Sequence, residues 1–316
     1  MTTSQPEISF DALLPADMAK KGEATGMKKA VLPFMKTFAL AVLAGAFIGL
    51  GAMFATTVLA GLGGTAANVA ATPPTAETPG VPYGIQRLLA GLVFCLGLIL
   101  VIVGGAELFT GNNLIVMAWA SGKVTTAQLL RNWGIVYVGN FVGSVLTALI
   151  VFFGMRYTFG GGAIGKVAVN IAVAKTGLGF VQAIALGMMC NALVCLAVWM
   201  CFGARGTVDK IAAIIFPISA FVAAGFEHSI ANMYFIPMGL FIKDFDPAFV
   251  EKVGLTAATA NLNWGTFLIN NLLPVTIGNI IGGAVMVGAL YWFVYLRQPA
   301  PQPGPAALPG AQAKKS

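Results

Sequence analysis

Six stretches of this chain, at about 37–62, 86–120, 133–155, 178–203, 211–241 and 265–296, are long and apolar enough to cross a bilayer. A spanning helix takes roughly 20 mostly apolar residues, and in hydrocarbon every backbone N–H and C=O must find its partner within the protein. The reading is therefore an all-α membrane protein with six transmembrane helices. Only 9% of residues are charged, against about 25% in an average soluble chain. The net charge of +7 does not point to nucleic acid, because the basic residues gather at the ends of the apolar stretches and in the tails.

The same basic residues orient the chain. Lys20, Lys21, Lys28, Lys29, Lys36, Lys123, Arg131, Arg205, Lys210, Arg297, Lys314 and Lys315 fall on one side, against Arg87, Arg156, Lys166, Lys175, Lys243 and Lys252 on the other. An excess of Lys and Arg marks the cytoplasmic side, so both termini are expected there. Residues 1–35 form a polar N-terminal segment without a cleavable signal peptide, and within it 8–30 mix apolar and charged positions as an amphipathic surface helix does. Residues 36–297 form the membrane domain. The loop 63–84, rich in Gly, Ala, Thr and Pro, is expected outside and flexible, and the Pro/Ala/Gln-rich tail 298–316 is expected to be disordered in the cytoplasm. Cys95, Cys190, Cys195 and Cys201 lie in or beside apolar runs with no CxxC pair, which reads as buried free thiols. No metal site is expected, since the chain has one histidine.

That histidine, His228, stands in a frame that occurs twice. Gly105-Ala106-Glu107-Leu108-Phe109-Thr110-Gly111-Asn112 and Gly225-Phe226-Glu227-His228-Ser229-Ile230-Ala231-Asn232 both read Gly-x-Glu-x4-Asn. Carboxylates and amides are costly in hydrocarbon unless they satisfy broken backbone or line a cavity. The second and fifth stretches, which hold these motifs, are also too long for one straight helix. Each is expected to break into two half-helices near 104–113 and 224–230, and Pro217 and Pro237 flank the second break. Glu107, Glu227, Asn112 and Asn232 are expected to support the breaks, the glutamates by accepting backbone N–H groups freed there. A second pairing, Asn132-x6-Gly139-Asn140-x2-Gly143 against Asn271-x6-Gly278-Asn279-x2-Gly282, makes spans 1–3 and 4–6 repeats. Three spans per unit is odd, so the second unit must be inverted. Gly139, Gly143, Gly282 and Gly283 read as close-packing positions.

These residues resemble the formate–nitrite transporter family. The resemblance runs from Phe10-Asp11-Ala12-Leu13-Leu14-Pro15 to the last span. It is most specific at the two Glu motifs, at Cys190-Asn191-Ala192-Leu193-Val194-Cys195-Leu196-Ala197 and at Leu273-Pro274-Val275-Thr276-Ile277-Gly278-Asn279-Ile280-Ile281-Gly282-Gly283. Within the family the formate channels are most similar, on Ala231-Asn232-Met233-Tyr234-Phe235-Ile236-Pro237-Met238-Gly239; nitrite and hydrosulfide members share much of the frame. The resemblance implies an aquaporin-like fold, a homopentamer with one pore per protomer in the bacterial inner membrane, no cofactor, and passive or proton-linked passage of small monovalent anions.

Position by position, it implies a central chamber at His228 and Thr110, an outer constriction at Phe94 and Phe221, and a cytoplasmic slit at Leu98, Leu108, Phe109 and Val194. Asn191 and Asn279 would lend amides near the path, and Lys175 would stand in the outer vestibule. A bare anion in an apolar constriction meets a steep desolvation cost. His228 would offset it by donating a hydrogen bond or, as imidazolium, by passing a proton. Thr110 reads equally as a helix cap or a substrate contact. An intramembrane enzyme with His228 as base would need a nucleophile; Ser229 is adjacent and badly placed, and Ser219 and Cys190 have no recognisable motif around them. A water or glycerol pore of aquaporin type would carry two Asn-Pro-Ala signatures, and the chain has none.

Overall fold

The computed structural model describes residues 11–62 and 81–297, and the described regular structure is entirely helical. Most of the expected outer loop, the whole C-terminal tail and the start of the expected N-terminal helix lie outside the described residues. Among the described residues, five helices are long and apolar enough to cross a membrane: Phe34–Gly61, Tyr83–Gly104, Thr126–Phe153, Phe180–Gly203 and the continuous stretch Thr266–Tyr295.

The chain opens with α1 (Pro15–Ala30), Pro15 sitting where its missing N–H costs nothing. One face of α1 is buried through Met18, Ala19, Gly22, Gly26 and Ala30. A Cβ at Gly26 would lie 3.3 Å from the Ile115 Cα, so small residues let this amphipathic helix dock closely. Next come α2 (Phe34–Gly61) and α3 (Tyr83–Gly104), each following a proline. After Gly104 the helix stops, and α4 (Phe109–Asn112) continues through a 3-10 turn at Asn113–Ile115 into α5 (Val116–Ala120). Then α6 (Thr126–Phe153) starts at a capping box of Thr125 and Gln128, which satisfies two of the N–H groups a helix start leaves open.

The opposite face carries α7 (Ala163–Thr176), from which α8 (Phe180–Gly203) leads back through the bundle. It is followed by α9 (Thr207–Ala223) and α10 (Ser229–Phe245), separated by five residues. At 17 residues each, these two reach about 25 Å, short of the roughly 30 Å hydrocarbon core. A short α11 (Pro247–Lys252) precedes the last span, which winds as π-helix at Thr266–Leu272, α-helix in α12 (Leu273–Ile280), π-helix again at Ile281–Ala289, and ends in α13 (Leu290–Tyr295).

Glycines set how closely the spans approach. A Cβ at Gly143 would strike the Val42 carbonyl on α2, and one at Gly139 the Ala41 side chain. Across the bundle, a Cβ at Gly282 would strike the Met188 carbonyl on α8, and one at Gly278 that of Ile184. Backbones that close bring the asparagines of α6 and α12 against the interrupted spans.

Candidate functional site

The two Gly-x-Glu-x4-Asn segments adopt the same backbone path. Gly105 and Gly225 both hold φ near +76°, a left-handed conformation that costs an L side chain roughly 1–2 kcal/mol. The next amide folds back onto the helix just ended, Ala106 N to Val101 O at 2.9 Å and Phe226 N to Phe221 O at 3.0 Å. The glutamate amides then leave their own segments for a neighbouring span, Glu107 N to Leu40 O and Glu227 N to Leu186 O, at 3.2 and 3.3 Å.

Two asparagines close the gap. The Asn140 Oδ1 accepts from the Phe109 amide at 2.9 Å, while its Nδ2 donates to Ala41 O and Glu107 O at 2.7 and 2.9 Å. The Asn279 Oδ1 accepts from the Ser229 amide at 2.9 Å, while its Nδ2 donates to Gly187 O and Glu227 O, both at 2.9 Å. Each primary amide presents one acceptor and two donors to backbone that has lost its helical partners. Both asparagines are fully buried.

The glutamates do something different from what the sequence suggests. Their carboxylates take side-chain donors, and the Phe109 and Ser229 amides go to Asn140 and Asn279 instead. Glu107 pairs with Lys29 at 3.0 Å and accepts from Asn112 Nδ2 at 2.7 Å. Glu227 pairs with Lys175 at 2.7 Å and accepts from Asn232 Nδ2 at 2.7 Å. Behind them Asn132 joins Asn112 to the Lys29 carbonyl, and Asn271 joins Asn232 to the Lys175 carbonyl. A charge this buried persists only when paired and hydrogen-bonded, and both segments solve the problem with the same set, one Glu, one Lys and two Asn.

One of the differences between the two segments carries chemistry. Where the first has Leu108, the second has His228, the residue that caps α10. Its Nδ1 accepts from the Ala231 amide at 3.0 Å, and its Nε2 lies 3.1 Å from the Thr110 hydroxyl of the other break. Because Nδ1 accepts a backbone N–H, the ring proton belongs on Nε2, which makes His228 a neutral imidazole donating towards Thr110. Protonating Nδ1 would break the cap and set a positive charge at the positive end of a helix.

Two cavities lie near this contact, one lined by His228 itself and the other by Leu108 and Gly111 on either side of Phe109 and Thr110. One, about 80 Å³, is lined by Lys175, Arg87, Glu227, Asn232 and His228 together with Phe94 and Phe221. The Phe94 and Phe221 rings meet edge to face at 5.6 Å, and Phe221 stacks on His228 at 5.8 Å. The other, about 280 Å³, is lined by Lys21, Lys29, Lys210 and Glu107 and reaches Leu98 and Leu108.

Phe94, Phe221, His228 and Lys175 are thus brought together, as are Leu98 and Leu108. Phe109 turns away from both cavities and packs edge-on against Tyr137, centroids 4.9 Å apart. Val194 is buried and lines neither. Asn191 spends its Nδ2 on Asn279 O, Asn113 Oδ1 and Thr110 O at 2.6, 3.1 and 3.3 Å, tying Thr110 to the last span.

Lys29 is the residue that sequence reasoning passed over, as one more basic residue before the first span. A signal existed: Lys29 precedes Phe34, and Lys175 precedes Phe180, by the same five positions. Asn140 and Asn132 were visible as repeats but not as partners of the breaks.

The chain matches the formate/nitrite transporter family model over residues 16–293. It is 44% identical to the formate channel FocA of Escherichia coli (strain K12) over 291 residues, covering 92% of this chain and 96% of that protein. It is 37% identical to the formate channel FocA of Haemophilus influenzae (strain ATCC 51907 / DSM 11121 / KW20 / Rd), covering 91% and 96%. Among solved structures, a pentameric formate channel with formate bound superposes with a TM-score of 0.73 at 44% identity, covering 84% of this chain and 98% of that one. An FNT family ion channel superposes with a TM-score of 0.70 at 28% identity, covering 88% and 98%. The site geometry and these similarities together place the chain in the formate/nitrite transporter family.

Proposed function

We propose that this protein is a transport pore, not an enzyme, and conducts formate across the bacterial inner membrane, with both termini in the cytoplasm. We read the chain as two inverted three-span repeats, aquaporin-like, whose second and fifth spans are broken helices. The matched Glu–Lys–Asn–Asn networks support that reading, since each half builds the same cage from equivalent positions. It extends to the flanking helices, because α1 supplies Lys29 to the first cage as α7 supplies Lys175 to the second. The pentameric formate channel supports a homopentamer here.

The observation that carries the function is the 3.1 Å contact of His228 Nε2 with Thr110 Oγ1, between an outer cavity behind Phe94 and Phe221 and an inner one behind Leu98 and Leu108. A formate ion crossing between them leaves water and needs donors. The Nε2–H of a neutral His228 and the Thr110 hydroxyl supply two at one point, worth about 1.5–3 kcal/mol each to a charged acceptor. With Lys175 paired to Glu227, the outer cavity's lining of Lys175, Arg87 and Glu227 keeps a net +1, which raises the local anion concentration at the outer mouth. This arrangement favours hydrogen-bonded passage of the anion; a proton-linked mode through imidazolium requires the first turn of α10 to release the Ala231 amide. Nitrite and hydrosulfide are the competing substrates. A stopped-flow comparison of the three anions in proteoliposomes tests the assignment: formate is expected to enter fastest, and a clear preference for nitrite or hydrosulfide would overturn it.

A further inference from the structure

The inner cavity carries more positive charge than its cage accounts for. Lys29 is neutralised by Glu107 at 3.0 Å, and Glu107 is the one carboxylate among the lining residues. Lys21 and Lys210 remain, from α1 and from the start of α9, so the lining holds three cations against one carboxylate, a net +2. Three acids of α1 and α9 are engaged elsewhere: Asp209 caps the Gly206 amide at 2.8 Å, Asp17 pairs with Lys20 at 3.0 Å, and Glu23 pairs with Lys123 at 2.5 Å.

Lys21 is held in place rather than left to wander. Its Nζ donates to the Phe202 carbonyl at 2.8 Å, in the last turn of α8, where a cation is favoured by the helix dipole. An ammonium has three N–H donors, so two remain beyond the Phe202 contact. Burial first, then Lys210 and Arg205, lowers its affinity for a proton below that of an ordinary lysine. Like charges facing one another across a partly enclosed space repel. An anion seated between them removes the repulsion and takes up the unused donors.

From this we infer that Lys21 and Lys210 form an inner anion station, a binding site for a small carboxylate or comparable oxyanion, where formate waits before it meets Leu98 and Leu108. The station rests on the transport reading above and adds a residue-level asymmetry to it: the inner mouth concentrates substrate with two lysines that are not part of the Lys29–Glu107 cage.

The test is formate flux at low ionic strength in right-side-out and inverted membrane vesicles, for the unsubstituted protein, Lys21→Gln/Lys210→Gln and Lys21→Arg/Lys210→Arg. The glutamine pair is expected to raise the KM for formate presented at the inner face by roughly threefold to tenfold. The KM from the outer face should stay put, the maximal rate from the inner face should rise in step with the inner KM, because a passive pore keeps one ratio of maximal rate to KM in both directions, and the arginine pair should retain the low inner KM. Added salt should raise the inner KM of the unsubstituted protein towards that of the glutamine pair. An inner KM that does not move in the glutamine pair overturns the station while leaving transport standing. So does an arginine pair as impaired as the glutamine pair, which would mark a packing role. Failure of the unsubstituted protein to pass formate in either direction would overturn the transport reading and the station with it.

Discussion

The strongest constraints in this molecule act on single polar side chains that membrane burial would otherwise make untenable. Asn140 and Asn279 each hold one amide N–H and two carbonyls at a break. Asn140→Leu or Asn279→Leu keeps the volume and removes all three partners, and each buried group left unsatisfied costs about 1–3 kcal/mol. Either variant is expected to lower the melting temperature in detergent sharply, by a similar amount in each half; thermal unfolding followed by tryptophan fluorescence checks it. The Lys–Glu pairs give a second prediction. Lys175→Met leaves the Glu227 carboxylate buried and uncompensated, costing about 3–5 kcal/mol, whereas Lys175→Met/Glu227→Gln recovers much of that loss. A double-mutant cycle on stability measures the recovery, and additive losses would contradict the pairing. His228 and both glutamates stood out in the sequence as ionisable residues in apolar runs. Their partners did not, because a lysine at a segment end is ordinary until the fold folds it inward.

The elements are legible to different degrees. The apolar runs mark α2, α3, α6, α8 and the last span closely, with the observed ends a few residues from the expected ones at most boundaries, and α6 starting seven residues before its expected 133. The path at Gly105 and Gly225 also follows from residue type, since glycine meets a left-handed φ at little cost. Gly225→Ala is expected to destabilise by about 1–2 kcal/mol through backbone strain alone, since a Cβ there meets nothing closer than the Arg87 guanidinium at 3.6 Å. Gly282→Ala should cost more, because its Cβ would collide with the Met188 backbone carbonyl. Comparing the two in one thermal assay separates strain from collision, and equal losses would contradict the close approach of α8 and the last span. The π-helical stretches on either side of α12 left no mark in the sequence. π-helix is rare and occurs mostly as single turns inside α-helices, so an apolar run reads as α-helix throughout.

For the whole molecule, the sequence carries the pairing of the two halves better than it carries the pore. Repeated Gly, Glu and Asn spacing is one-dimensional and can be read directly, and the two frames it marks take the same backbone path at Gly105 and Gly225. A cavity is made by residues from several spans at once. That is why only the family resemblance marks Phe94 and Phe221 as a constriction, and why no local feature of the sequence announces that Phe109 packs edge-on against Tyr137. Assembly belongs to this scale too. The purified protein in mild detergent is expected to run as a pentamer in mass photometry, and a stable monomer that still conducts would contradict one shared assembly.

The central claim is that a neutral His228, working with Thr110, hands the anion from one cavity to the other. His228→Asn isolates it, because asparagine is among the best N-cap residues: its Oδ1 can replace Nδ1 as acceptor for the Ala231 amide while the Nε2–H disappears. The decisive measurement is the initial rate of formate uptake into proteoliposomes for the unsubstituted protein and His228→Asn, at matched melting temperature. The account predicts that the variant stays folded and loses at least tenfold in rate, the equivalent of about 1.4 kcal/mol. A folded variant that takes up formate at the unsubstituted rate would contradict it.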